Sequence, residues 1–349
     1  MRYLVVMASI IGILCFIGCV PPGGVKPAAE TGTDPMIDEC FNLTSANRFA
    51  DAIPVCRAAV GANPGSFIAH ASLARALWET GNFEESEQYY RLALEINPEA
   101  IQTRMELASA LKSMNDAGGA IAEYQMILSV QPDYIAAVIE MAQTYESMGT
   151  LDSAADAYQR AIGLQPDNDA LYLDLAGVQR KARQMKAARE TLADAAQRFP
   201  NAPRVIYSYA ALLQDVKRYP EAVRQYEAVI ALAGDYQNAR YNIAVCHYSS
   251  GNYAAAEKAL TVFLNETPGS SSAHMLLGQI AYDRNNYTAA EREFRRAIQY
   301  DPDNGNAWVL LGNVLRSQGD KDGAKEAYRQ ALRINPRDSV AKKNLKRLY

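Results

Sequence analysis

Eight prolines and one glycine recur along this chain at an unbroken interval of 34 residues: Pro64, Pro98, Pro132, Pro166, Pro200, Gly234, Pro268, Pro302 and Pro336. Such punctuation marks one small unit copied nine times. A unit of this size buries its apolar face only by stacking on copies of itself, so the period dictates an elongated array. An array of this kind offers an extended binding surface before it offers a catalytic cleft. Although the chain is 349 residues long, it therefore counts as one architectural unit rather than two or three globular domains.

The interval fixes a register. With position 1 of the last copy at Gly305, positions 4, 7, 8 and 11 fall on one face of a first helix, and positions 20, 24 and 27 on one face of a second. Position 8 is small throughout: Ala74, Ala108, Ala142, Ala176, Ala210, Ala244, Gly278 and Gly312. Position 20 is small as well, with Ala52, Ser86, Ala120, Ala154, Ala188, Ala222, Ala256, Ala290 and Ala324. Small residues at these slots let two helices approach closely. Position 24 takes a large knob: Tyr90, Tyr124, Tyr158, Leu192, Tyr226, Leu260, Phe294 and Tyr328. Position 32 takes Pro because the second helix stops there. Gly81-Asn82, Gly251-Asn252 and Gly319-Asp320 mark turns between helices. Repeat six departs from the pattern, with Gly234 for the proline and Lys217 for the turn glycine, and is expected to form a softer joint.

Trp308, Leu311, Gly312, Gly319, Ala324, Tyr328, Ala331 and Pro336 occupy their slots as in the tetratricopeptide repeat, a helix–turn–helix unit, and the chain resembles that family. The resemblance implies an all-α, right-handed superhelical solenoid of nine repeats over residues 33–336. Residues 337–349 are expected to form a C-terminal capping helix, with Leu345 toward the stack and a basic outer face.

The first residues read as a targeting segment. Arg2 precedes an apolar run from Tyr3 to Ile17, too short for a comfortable membrane span. Phe16-Ile17-Gly18-Cys19 resembles a bacterial lipobox, with Phe16 in place of the usual Leu. The expectation is a lipoprotein signal peptide over residues 1–18, palmitate and further acyl chains on Cys19, and a flexible Pro/Gly tether over residues 19–32. Val20 after the cysteine, by resemblance to Gram-negative lipoproteins, implies an outer-membrane anchor with the array in the periplasm.

Formal net charge is −4, which argues against nucleic acid as partner. Its distribution is uneven. From Asp34 to Glu99 there are ten acidic residues and four arginines, a net of −6, and from Ala289 to Tyr349 thirteen basic and eight acidic, a net of +5. That asymmetry either orients a partner or is ordinary variation among solvated helix faces.

Of the cysteines, Cys40 and Cys56 occupy positions 8 and 24 of the first repeat and should face each other across the helical hairpin. In an exported protein they are expected to form a disulfide; the alternative is two buried thiols used for packing. Cys246 reads as core. His70, His247 and His274 are isolated in packing slots. No HExxH, CxxC pair, phosphate-binding Gly-rich loop or GxSxG occurs. No enzyme activity, metal or cofactor is expected.

By the family resemblance, positions 2, 5, 6, 9 and 12 line a partner groove. Those positions give Tyr207, Gln214, Asn238, Tyr241, Asn242, Tyr248, Met275, Gln279 and Tyr282 as the candidate groove. Tyrosines, amides and a methionine suit an extended peptide or a partner helix, and also a glycan. They are equally ordinary choices at these slots. A second region, Arg180, Lys181, Arg183, Lys186 and Arg189, is either a site for an acidic partner or phosphate, or a solvated face. The chaperone-type carboxylate clamp is absent, Asn242 being a lone match. The asparagine ladder of protein O-GlcNAc transferase is absent too. The resulting expectation is a lipid-anchored periplasmic scaffold for protein partners, similar to lipoproteins that assist pilus secretin, outer-membrane protein or peptidoglycan machinery. The alternatives are a glycan-binding component of exopolysaccharide export and a holdase for exported chains.

Overall fold

The computed structural model describes residues 34–234 and 236–349. The expected signal peptide, Cys19 and the tether lie outside the described residues. Among the described residues there are nineteen α-helices, one short 3-10 turn and no strand. None of these helices is long and apolar enough to cross a membrane.

The chain forms two compact units, one ending at Thr144 and one spanning Tyr145–Tyr349. The first holds the helix pairs α1 (Pro35–Ser45) with α2 (Phe49–Ala62), α3 (Phe67–Glu79) with α4 (Phe83–Ile96), and α5 (Ile101–Ser113) with α6 (Ala117–Val130). The division falls within α7 (Ile135–Ser147). In the second unit follow α8 (Leu151–Leu164), α9 (Asp169–Lys181), α10 (Met185–Arg198), α11 (Pro203–Asp215), α12 (Tyr219–Ala233), α13 (Ala239–Ser249) and α14 (Tyr253–Glu266). The chain ends with α15 (Ser271–Asp283), α16 (Tyr287–Tyr300), α17 (Gly305–Gln318), α18 (Lys321–Ile334) and α19 (Ser339–Lys346). Odd-numbered helices up to α17 are the first helices of their repeats and even-numbered ones the second.

The hairpins close as the small slots require. Ala52, Ser86, Ala120, Ala154, Ala188, Ala222, Ala256, Ala290 and Ala324 are all fully buried. The rings of Tyr90, Tyr124, Tyr158, Tyr226, Phe294 and Tyr328 are buried as well, each contributing about 1.5–3 kcal/mol of hydrophobic stabilisation. Two repeats go further than alanine permits. A Cβ on Gly278 would lie 2.7 Å from Cε1 of Phe294, and one on Gly312 would lie 2.6 Å from Cε1 of Tyr328.

Position 15 is left-handed in every repeat. Gly81, Gly149, Gly251 and Gly319 adopt φ between 76° and 89°, and Asn47, Asn115 and Asn285 between 58° and 65°. Asn tolerates this region because its short polar side chain bonds locally. Arg183 at φ 60° and Lys217 at φ 61° hold the same conformation without either advantage. The turn is imposed by the pairing of the two helices, whatever residue occupies it.

The junction after repeat six is built differently. Gly234 ends α12 at φ 68°, ψ −146°, a conformation that essentially only glycine adopts. A 3-10 turn, Tyr236–Asn238, then leads into α13, which has 11 residues where its neighbours α11 and α15 have 13. At the other end α19 covers the last apolar surface. Ala341 is buried, Leu345 and Leu348 pack on the α16–α18 core, and Asn344 Nδ2 donates to Asn313 Oδ1 at 2.9 Å. Lys342, Lys343 and Lys346 remain exposed on its outer side.

Candidate partner-binding face

Stacking with a 34-residue period brings position p of one first helix beside position p+1 of the next, 35 residues on. In the second unit this offset produces a ladder of side-chain bonds. Lys181 Nζ donates to Glu146 at 2.6 Å and Arg180 Nη2 to Asp215 at 2.8 Å. Tyr248 Oη donates to Asp283 at 2.8 Å, and Tyr282 Oη and Ser317 Oγ pair at 3.2 Å. All four join position 12 to position 13. Asn242 Nδ2 donates to Tyr207 Oη at 2.9 Å by the same offset from position 5, and Arg204 bonds Asp169 from position 2. The first helices α9 to α17 of this unit, with Glu146 at the end of α7, thus present one face tied from repeat to repeat.

The candidate groove residues lie on or beside this face, most of them half-buried. The Tyr207 ring packs edge-on against Tyr226 and Tyr236, with centroids 5.4 and 5.7 Å away. Gln214 Oε1 accepts from Tyr226 Oη at 3.0 Å and from the Cys246 thiol at 3.5 Å. Tyr241 leans on Phe263, and Tyr248 and Tyr282 lean on Tyr253 and Tyr287. Gln279 Nε2 donates to the Asp283 carboxylate that also holds Tyr248, and the Met275 sulfur accepts from Asn304 Nδ2 at 3.3 Å. Asn238 stands apart. It is exposed, left-handed at φ 59°, and caps α13 instead of riding on it. Burial and the bond to Asp283 push the Tyr248 hydroxyl far above the usual phenol range, so this rung stays protonated at neutral pH. Asp283, which gathers two groove side chains, is a residue that slot-by-slot reading does not single out.

The basic run is placed differently from a free cationic patch. Arg180 and Lys181 are rungs of the ladder with carboxylate partners, and Lys186 lies 4.0 Å from Glu190. Arg183 occupies the left-handed turn and Arg189 is half-buried on α10.

Cys40 and Cys56 are brought together across the α1–α2 hairpin, Cα–Cα 4.9 Å, and are bonded in the structure. Cys246 is buried, and burial pushes its thiol up to about 12. His70 is buried, with Nδ1 2.8 Å from the Ser66 carbonyl. Buried His274 lies with Nδ1 2.8 Å from Glu293 and Nε2 3.2 Å from the Pro268 carbonyl, its ring stacked on Tyr300. Among the described residues no group of three or more His, Cys, Asp or Glu side chains is placed to hold a metal.

In the first unit, where no slot pattern marks a partner-binding site, two cavities open beside α3 and α5. One of about 370 Å³ includes Trp78, Glu79 and Tyr134, and one of about 390 Å³ includes Phe41, Phe67 and Ile101.

Two family models described as tetratricopeptide repeat match the chain, one over residues 43–101 and 275–339, the other over 145–212 and 213–280. The chain belongs to the tetratricopeptide repeat family. A tetratricopeptide repeat protein from Parabacteroides merdae ATCC 43184 shares the fold, with TM-score 0.50 and 16% identity over 71% of this chain and 98% of its own. Other similar structures include pilF of Pseudomonas aeruginosa, TM-score 0.47 at 19% identity over 61% of this chain and 97% of that one. MamA from Desulfovibrio magneticus RS-1, residue 41 to its end, reaches TM-score 0.44 at 19% identity over 50% of this chain and 98% of that one. No curated protein matches the chain. Repeats of this family indicate a protein–protein interaction scaffold, a fold that is generally non-enzymatic.

Proposed function

We propose that this tetratricopeptide repeat protein is a lipid-anchored periplasmic scaffold that captures protein partners on the first-helix face of its second unit, in the service of an envelope assembly. The observation that carries the binding half is the tied face itself. Tyr207, Tyr241, Tyr248 and Tyr282 are held by inter-repeat bonds and ring contacts before any partner arrives. A surface ordered in advance loses less side-chain entropy on binding. Tyr and amide groups supply flat apolar area with adaptable hydrogen bonds, the chemistry of peptide and helix recognition. The anchoring half rests on the lipobox-like Ile17-Gly18-Cys19 and the apolar run before it. Several acyl chains give stable membrane attachment, at about 0.8 kcal/mol per buried CH₂.

The test is site-specific photo-crosslinking in envelope-containing cells. A photoreactive side chain is placed at Gln279 or Ser272 on first helix α15, and at Lys258 or Val262 on second helix α14 as controls. The reading expects one or a few discrete protein adducts from the α15 sites and none of these from α14. Equal adducts from both sets, or adducts made of carbohydrate, contradict it. Loss of acyl labelling in Cys19→Ser, with release from the membrane fraction, tests the anchor; unchanged fractionation contradicts that half.

A further inference from the structure

The first unit contains a second built surface that none of the features above uses. Its two cavities, of about 370 and 390 Å³, share three lining residues: Arg75 on α3, and Gln102 and Glu106 on α5. They are therefore neighbouring compartments separated by a polar ridge. One compartment is walled by the apolar side chains of Phe41, Phe67, Ile68 and Ile101. The other is walled by the Trp78 indole, Met105 and Tyr134, with the Glu79 carboxylate. Aromatic faces beside carboxylates are the surroundings that attract an ammonium or guanidinium group.

The ridge is organised from within. Glu106 accepts from Tyr90 Oη at 3.2 Å and from Gln102 Nε2 at 3.1 Å, which aims the carboxyl. Burial pushes the Glu106 carboxyl up from its ordinary range. The Gln102 and Tyr90 hydrogen bonds and the Arg75 charge oppose that shift, and the Glu79 charge adds to it. A cation entering this compartment adds to the Arg75 charge in favouring the ionised carboxylate. The surrounding field has the right sign, the stretch from Asp34 to Glu99 carrying a net charge of −6. Three of its four arginines, Arg48, Arg57 and Arg91, are engaged by Asp51, Glu85 and Glu87.

We propose that the first unit binds an extended segment of a protein partner that carries a large apolar side chain and, close by in sequence, a lysine or arginine. The apolar side chain fills the Phe41–Ile101 compartment and the cation lies between Trp78, Glu79 and Glu106. This rests on the reading of the chain as a protein-binding scaffold and names a second contact on it. Arg75 sits on the ridge with the wrong charge for the occupant, so it sets a limit on affinity.

The test uses the full chain and dye-labelled Gly/Ser peptides holding one Phe and one Lys separated by zero to four residues, read by fluorescence polarisation. At one spacing, affinity exceeds that of the Lys→Glu and Phe→Gly peptides by about tenfold. Glu106→Gln, which keeps the shape of the side chain, and Glu79→Gln weaken that binding several-fold, while Arg75→Gln strengthens it. A Lys→Glu peptide that binds as well, no binding at any spacing, or an Arg75→Gln variant that binds more weakly overturns the inference. Crosslinking from Gln279 with no peptide bound overturns this inference alone. Peptide binding with no protein crosslinked anywhere overturns the wider reading alone.

Discussion

Lys217→Gly should stabilise this protein although it removes a side chain. Lys217 holds φ 61° at the turn between α11 and α12, where four other repeats use glycine. An L-residue in this region costs roughly 1–2 kcal/mol, and glycine carries an entropic cost of roughly 0.5–1 kcal/mol in return. The difference is a gain of about 0.5–1 kcal/mol. Nothing else is lost: the Lys217 side chain is exposed. The closing bonds are main-chain, Lys217 N to Gln214 O at 2.9 Å and Arg218 N to Leu213 O at 2.8 Å. Arg183→Gly should behave alike, and Gly251→Ala should lose a similar amount. Repeat arrays need not unfold in one step. The assay is therefore local: native-state hydrogen exchange of amides in α11 and α12, backed by urea melts of the full chain. A neutral or destabilising Lys217→Gly together with a neutral Gly251→Ala would refute the claim that position 15 is left-handed by obligation.

Four further outcomes are expected. Gly312→Val places a branched side chain where a Cβ alone already sits 2.6 Å from the buried Tyr328 ring, and should cost about 2 kcal/mol or more, measured by urea denaturation. Reducing the Cys40–Cys56 bond, or replacing both residues with serine, should loosen α1 and α2 by about 3 kcal/mol, seen as faster exchange confined to those helices. Burial alone would raise the Glu293 carboxyl, but bonds from His274 and Arg292 and the Arg296 charge hold it below its ordinary value of 4.5. Its stabilisation is therefore complete above pH 4.5 and is lost as pH falls through the lower folded value, and Glu293→Gln should remove that part of the acid dependence of unfolding. Cys246, buried and with its thiol pushed up to about 12, should resist alkylation at pH 8 until the chain unfolds, as read by mass spectrometry.

The helices and their pairing were legible because each constraint recurs. Alanine or serine at position 20 and a ring or leucine at position 24 repeat often enough to fix the register. The left-handed turn was legible at Gly81 and Gly251, but not at Arg183 or Lys217, where helix pairing imposes a conformation that the residue disfavours. The inter-repeat ladder was hidden because each rung uses different chemistry: Glu146 with Lys181, Arg180 with Asp215, Tyr248 with Asp283. Reading Arg180 and Lys181 as one positive run overlooked carboxylates lying 35 residues away in either direction. The compartments of the first unit were hidden for a related reason. Phe41, Arg75 and Trp78 occur once each at their slots and Glu106 is matched only by Glu140, so no period announces the set.

On the proposed function, partners are held by first helices and not by second helices. Hydrogen exchange of the full chain, with and without the partner identified by crosslinking, tests it most directly. Slowed exchange is expected in α11, α13 and α15, with α12, α14 and α16 unchanged. Protection concentrated in α12, α14 and α16 would contradict it.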